Sequence, residues 1–303
     1  MNFGTDGYMC GIYTSARVKV RNDNLCIIFL NAGLIHKIGP NRIYKKLSID
    51  YSEIGFASFR MDFSGLGDSG FSHEKVNNTN GKISEVKLAM NWLQENKGID
   101  RFLLAGICSG AKAAWDASLD DQRVVGLCLV DGVYADDRLL KDVGEKAERH
   151  LKVRYYKKHI FSLNRWVKLL SGKSKFLNFK KLIEVRHITT LVKKLAKRLQ
   201  NKTGDKQVKY PVVIGGPGRM EPWEILFKRN VKIQMIFCEG GHAIDIYNWT
   251  LSKQLSRYKR SGILQSTFVK DVDHTFTPTW SQNYLSDLTS SWLRTEFEIA
   301  HQL

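Results

Sequence analysis

Apolar residues in this chain gather into short, unbroken runs separated by segments of helical spacing. Residues 25–30, Leu25-Cys26-Ile27-Ile28-Phe29-Leu30, are continuously apolar, as expected of a strand buried on both faces. Residues 55–62 read as a second strand that runs into the turn-rich Ser64-Gly65-Leu66-Gly67-Asp68-Ser69-Gly70. Further strands are expected at 102–105, 124–131, 231–238 and 262–269. Between them, 41–52 has helical spacing, and 83–94 places Val86, Ala89, Met90 and Leu93 on one face. Helices are also expected at 111–118 and 281–300. This alternation predicts an α/β fold, a mainly parallel central sheet flanked by helices. The rhythm breaks after Asp131 and resumes at Val231. The economical organisation is a core built from 1–137 and 211–303, with 138–210 inserted as a helical cap over the carboxyl ends of the strands.

Charge sharpens that division. The 303 residues carry a net charge of +17, yet Lys141 to Tyr210 alone holds 21 Lys and Arg against 5 Asp and Glu. The rest of the chain is therefore nearly neutral. A basic cap can meet an acidic protein, an anionic membrane or nucleic acid, or it can simply be solvated. Tyr155, Tyr156 and Trp166 interleave with its basic residues, as nucleic-acid surfaces often do. No apolar run is long enough to span a bilayer, and the start of the chain lacks a signal-peptide pattern, so a cytoplasmic location is expected. The five cysteines, at 10, 26, 108, 128 and 238, show no C-x-x-C pair. That argues against disulfides and against a structural zinc site. No metal-ligand spacing or nucleotide-binding glycine loop is evident, so neither metal nor cofactor is expected.

The sharpest chemical signal is Gly106-Ile107-Cys108-Ser109-Gly110, which follows the apolar run Phe102-Leu103-Leu104-Ala105. A strand, a glycine-flanked tight turn and a helix make the setting of a nucleophile elbow, G-x-Nuc-x-G. In this frame the nucleophile is the thiol of Cys108. Centring the motif on Ser109 would put β-branched Ile107 where a small residue is needed. The alternative is that Cys108 is a small buried core residue.

A nucleophile needs a base, and the base an orienting group. His274, in Val272-Asp273-His274-Thr275-Phe276 just after the last strand, is the best-placed histidine. It also fits the chain order nucleophile, acid, histidine. The acid is expected after the strand ending near Cys238, as Asp245, with Glu239 as the alternative. Oxyanion donors are expected from the backbone N–H groups of Ser109 and Leu34. Gly33, His36 and Arg42 in the same loop, and Trp166 in the insertion, are placed at the substrate.

Leu30-Asn31-Ala32-Gly33 through Gly39-Pro40-Asn41-Arg42, with Phe59-Arg60-Met61-Asp62-Phe63-Ser64-Gly65-Leu66-Gly67-Asp68-Ser69, resembles the α/β-hydrolase superfamily. The elbow cysteine, the run Asp273-His274-Thr275-Phe276 and the fragment Trp166-Val167-Lys168-Leu169-Leu170-Ser171-Gly172-Lys173 resemble exosortase A system-associated hydrolases. The resemblance covers roughly residues 25–295. It implies the α/β-hydrolase fold, a cysteine nucleophile and a place in a biosynthetic pathway. The sequence departs from that pattern at the acid, where Gly241 or His242 stands instead of aspartate.

A thiol nucleophile points to a thioester substrate, because an ordinary alkoxide leaves less readily than the attacking thiolate. The expected activity is acyl hydrolysis or transfer through a covalent acyl-enzyme, with an acyl-CoA or carrier-bound donor. An acidic carrier protein would dock on the basic cap. The alternatives are a carboxylesterase or amidase, and a non-catalytic hydrolase relative whose cap binds an anionic partner. The sequence leaves the oligomeric state open.

Overall fold

The computed structural model of the chain describes residues 1–18, 24–71, 79–132, 134, 147–151 and 220–297. Met1–Glu148 and Gly215–Leu303 form one compact unit, and Arg149–Ile214 another. The expected cap at 138–210 falls, apart from 147–151, outside the described residues, as does Trp166.

The first unit is built on eight strands: β1 (Asn2–Phe3), β2 (Met9–Thr14), β3 (Leu25–Leu30), β4 (Ala57–Asp62), β5 (Arg101–Ile107), β6 (Val124–Val130), β7 (Lys232–Cys238) and β8 (Leu264–Val269). They lie in the order β1-β2-β4-β3-β5-β6-β7-β8. β1 pairs with β2, and β2 with β4, antiparallel; all the other neighbours are parallel. The helices are α1 (Ile43–Glu53), α2 (Thr79–Lys97), α3 (Ser109–Asp120), α4 (Glu221–Lys228), α5 (Ala243–Thr250), α6 (Ser252–Arg260) and α7 (Thr279–Phe297).

Strand alternation sorts the apolar runs into two cores. Cys26, Ile28 and Leu30 of β3, with Phe102 and Leu104 of β5 and Leu127 and Leu129 of β6, face one side. There they meet Val86, Met90 and Leu93 of α2, Trp115 of α3 and Trp223 of α4. The residues between them, such as Ile27, Phe29, Leu103, Ile107 and Val130, meet Tyr44 and Tyr51 of α1 and Leu285 and Trp292 of α7 on the other side. Each fully buried Leu, Ile or Phe contributes about 1.5–3 kcal/mol against exposure. Burial on both faces is why these central strands read as unbroken apolar runs.

The antiparallel edge pair β1 and β2, and helices α4 to α6, are additions to the elements expected from the pattern. β2 alternates between buried and partly exposed positions along Met9-Cys10-Gly11-Ile12, so it lacks the continuous run that marks the central strands. Among the described residues, no helix is long and apolar enough to cross a membrane.

Candidate active site

β5 ends at Ile107 and α3 begins at Ser109. Cys108, between them, is held at φ 57°, ψ −118°. For a residue with a Cβ this backbone costs of order 1–3 kcal/mol and persists only where its surroundings hold it. Here the Cys108 N–H donates to the Val130 carbonyl at 2.9 Å. One residue earlier, the Ile107 N–H donates to Tyr44 Oη at 2.9 Å, while that hydroxyl donates to the Leu30 carbonyl at 3.0 Å. Tyr44 thus ties the ends of β3 and β5 beneath the turn. The flanking glycines are required by contact: a Cβ on Gly106 would lie 2.3 Å from the carbonyl carbon of Gly110. The sharp reversal is possible because strand and helix meet backbone to backbone.

His274 sits in the loop after β8. The Asp273 carboxylate shapes that loop, accepting the N–H groups of Thr275 and Thr277, each at 3.0 Å. Asn41 Nδ2 donates to the Thr275 carbonyl at 3.1 Å, and Phe276 is fully buried beneath it. The His274 imidazole interacts electrostatically with the Cys108 thiol. Its Nδ1 makes a short hydrogen bond to Oδ2 of Asp131.

Asp131 follows β6, at φ 48°, with its side chain wholly buried. The Asp131 N–H donates to the Ile236 carbonyl at 2.7 Å, continuing the ladder toward β7. β5, β6, β7 and β8 are consecutive neighbours. Their carboxyl ends therefore bring together Cys108, Asp131, Cys238 and the His274 loop.

The carboxylate on His274 is thus that of Asp131, which replaces both acids expected from the sequence. Asp245 lies in the first turn of α5, largely buried. Glu239 Oε2 accepts the Asp271 N–H at 2.8 Å and braces the loop after β8. The physical reason is clearance after β7. A Cβ on Gly241 would lie 1.9 Å from Asp131 Oδ2. The glycine that stands where aspartate was sought leaves the space that the Asp131 carboxylate, reaching across from the neighbouring strand, fills. The chain order Cys108, Asp131, His274 is retained. The sequence signal for Asp131 was an aspartate ending the buried run Val124 to Val130 just before Gly132.

The electrostatics couple the three groups. His274 is raised well above the ordinary imidazole range, first by its bond to the Asp131 carboxylate, then by its interactions with Cys108 and Cys238. Cys108 is lowered from the ordinary thiol value, chiefly by its interaction with His274, with a further contribution from the Ser109 N–H. The start of α3 favours negative charge at the same point. Cys238, buried, moves the other way: loss of hydration pushes its thiol up to about 12. These shifts favour a thiolate–imidazolium pair at Cys108 and His274.

Ser109 does not carry the elbow conformation; its Oγ accepts the Gly33 N–H at 2.7 Å. That bond fastens the loop after β3 to the residue that follows the elbow. Gly33 has φ 59°, and the next side chain, Leu34, is 87% exposed. His36 and Arg42 are exposed in the same stretch. A feature not expected from the sequence underpins this loop. Asn31 Nδ2 donates to the Ile35 carbonyl at 2.9 Å and to Asp62 Oδ1 at 2.8 Å. Asn31 Oδ1 accepts the Phe63 N–H at 2.8 Å. Lys37 Nζ, itself buried, pairs with Asp62 Oδ2 at 2.7 Å and with Asp68.

No protein-family model matches the chain, and no curated protein matches it in sequence. Solved structures do resemble it in fold. A proline iminopeptidase from Mycobacterium smegmatis superposes with a TM-score of 0.54 at 12% identity, over 95% of this chain and 94% of that one. Est1E from Butyrivibrio proteoclasticus gives 0.53 at 10% identity, over 97% of each chain. An alpha-beta serine hydrolase homologue from Coxiella burnetii gives 0.50 at 12% identity, over 94% and 91%.

Proposed function

We propose that this chain, which has the α/β-hydrolase fold, is a hydrolase or acyltransferase that works through a covalent acyl-enzyme on Cys108. The observation that carries the reading is the linked set: a thiol on a strained elbow, electrostatically coupled to His274, which is hydrogen-bonded to the buried Asp131. The resembling hydrolase from Coxiella burnetii is described as a serine hydrolase homologue; here the elbow residue is cysteine.

The chemistry follows from the thiol. Cys108 sulfur attacks the acyl carbon, and the Ser109 and Leu34 N–H groups stabilise the oxyanion. Collapse forms the Cys108 thioester and breaks the donor's bond to its leaving group, which takes its proton from His274. An acceptor hydroxyl, amine or water then gives its proton to His274 as it attacks. The new acyl bond forms, Cys108 sulfur departs, and His274 returns the proton to it. Asp131 keeps the imidazole in the tautomer this cycle needs. A thioester donor, on coenzyme A or on an acidic carrier protein, matches leaving group to nucleophile. Gly33, His36 and Arg42 belong to the substrate side of this reading.

Intact-protein mass spectrometry after incubation with a panel of acyl thioesters and small esters tests it. Wild type gains one acyl mass, Cys108→Ala gains none, and His274→Ala gains it slowly. Full turnover by Cys108→Ala would overturn the reading.

A further inference from the structure

Cys238 ends β7 beside the pair just described and plays no part in the acyl cycle. Its N–H lies 3.4 Å from Asp131 Oδ1, and its thiol lies beside the His274 imidazole. One ligand atom each from Asp131, Cys238 and His274 lies within 4.8 Å of the others. We propose that these three side chains form an inhibitory site for a thiophilic divalent cation such as Zn²⁺.

Donor types and charge fit that ion. Sulfur, nitrogen and oxygen ligands at about 2.0–2.3 Å are the set Zn²⁺ takes, with the fourth tetrahedral position left to water or another ligand. Ligand atoms around such an ion stand roughly 3.5 Å apart, so the Asp131–His274 hydrogen bond opens to admit the ion. One carboxylate and one thiolate neutralise the two positive charges, which a buried site requires. The side chain of Asp131 is fully buried and Cys238 is inaccessible, but the His274 side chain is 34% exposed. An ion therefore enters along the imidazole edge. Local sequence pattern hides the site, because Asp131 and His274 stand 143 residues apart and the ligands come from the ends of three different strands.

The proton accounting gives the consequence. Binding displaces the Cys238 thiol proton and the His274 Nδ1 proton to solvent, and forms bonds from the cation to sulfur, nitrogen and the Asp131 oxygen. His274 keeps its Nε2 proton. An imidazole with metal on one nitrogen and hydrogen on the other cannot accept a proton, so the acyl cycle stops. This inhibition rests on the acyl-enzyme reading; the binding itself does not.

Titration of the full chain with Co²⁺, read by its thiolate-to-cobalt charge-transfer band and reversed by Zn²⁺, tests the binding. The band appears at one equivalent in wild type and persists in Cys108→Ala. It is lost in Cys238→Ala and in Cys238→Ser, which keeps the buried volume closer to native; thermal melts establish that the variants are folded. Asp131→Asn weakens binding, because an anionic oxygen ligand is lost. Absence of the band in wild type, its survival in both Cys238 variants, or its loss in Cys108→Ala overturns the proposal. Because Cys108→Ala abolishes acyl transfer but keeps the band, failure of the metal site and failure of the acyl-enzyme reading give different results.

Discussion

At the scale of single residues, the site turns on which carboxylate meets His274. Asp131→Asn is expected to cut acyl transfer by about 10²–10⁴-fold, since the amide favours the wrong imidazole tautomer. Asp245→Asn and Glu239→Gln are expected to leave it within a few-fold; steady-state kinetics on a small thioester separates these outcomes. Gly241→Ala tests the clearance argument independently, because its Cβ would press on Asp131 Oδ2. Overpacking of this kind costs about 1–3 kcal/mol, and activity should fall with it; denaturant unfolding reads the first effect and turnover the second. Cys108 and His274 could be proposed from the sequence because each lies in a short local pattern, Gly106-Ile107-Cys108-Ser109-Gly110 and Asp273-His274-Thr275-Phe276. Asp131 was not legible as the acid. Its place beside His274 follows from the register of β6 against β7 and from Gly241 in the loop after β7, far along the chain from residue 131.

At the scale of elements, the elbow and the loop after β3 are held as one assembly. Tyr44 bridges β3 and β5, Ser109 fastens Gly33, and Asn31, Lys37 and Asp62 brace the loop from beneath. Removing one partner of a buried ion pair is costly because the other charge stays buried. Lys37→Met is therefore expected to destabilise the fold by about 3–5 kcal/mol, measured as a loss in urea unfolding free energy. The central strands and their flanking helices were readable because burial on both faces demands unbroken apolar runs. The edge strands were not: β1 is two residues long and β2 is partly exposed. Edge pairing of this sort depends on what lies beside it, β4 in this case, more than on the strand's own pattern.

At the scale of the whole molecule, charge is the dominant asymmetry, with nearly all of the +17 carried by Lys141 to Tyr210. If that segment steers an acidic carrier protein, kcat/KM for a carrier-borne thioester should fall steeply with salt, since attraction is screened beyond about 10 Å at 0.1 M. The same acyl group on a small neutral thiol should show little salt dependence. Charge reversal at Lys193, Lys194, Lys197 and Arg198 is expected to remove the difference. Equal salt profiles for both donors would separate the basic segment from substrate delivery.

The central claim is that Cys108, His274 and Asp131 act as one proton-coupled unit. The most direct test is the pH dependence of Cys108 alkylation, followed by peptide mass spectrometry in chelator-containing buffer. The His274 imidazole holds the Cys108 thiol below its ordinary value, so the reactive thiolate persists on the acid side of that value and is lost only as pH falls through the lowered one. The inflection in wild type should therefore lie below the roughly 8.5 of a free thiol. It should rise toward that value in His274→Ala and part of the way in Asp131→Asn, and stay in place in Asp245→Asn. A wild-type inflection at the free-thiol value, or one that Asp131→Asn leaves unmoved, would contradict the account.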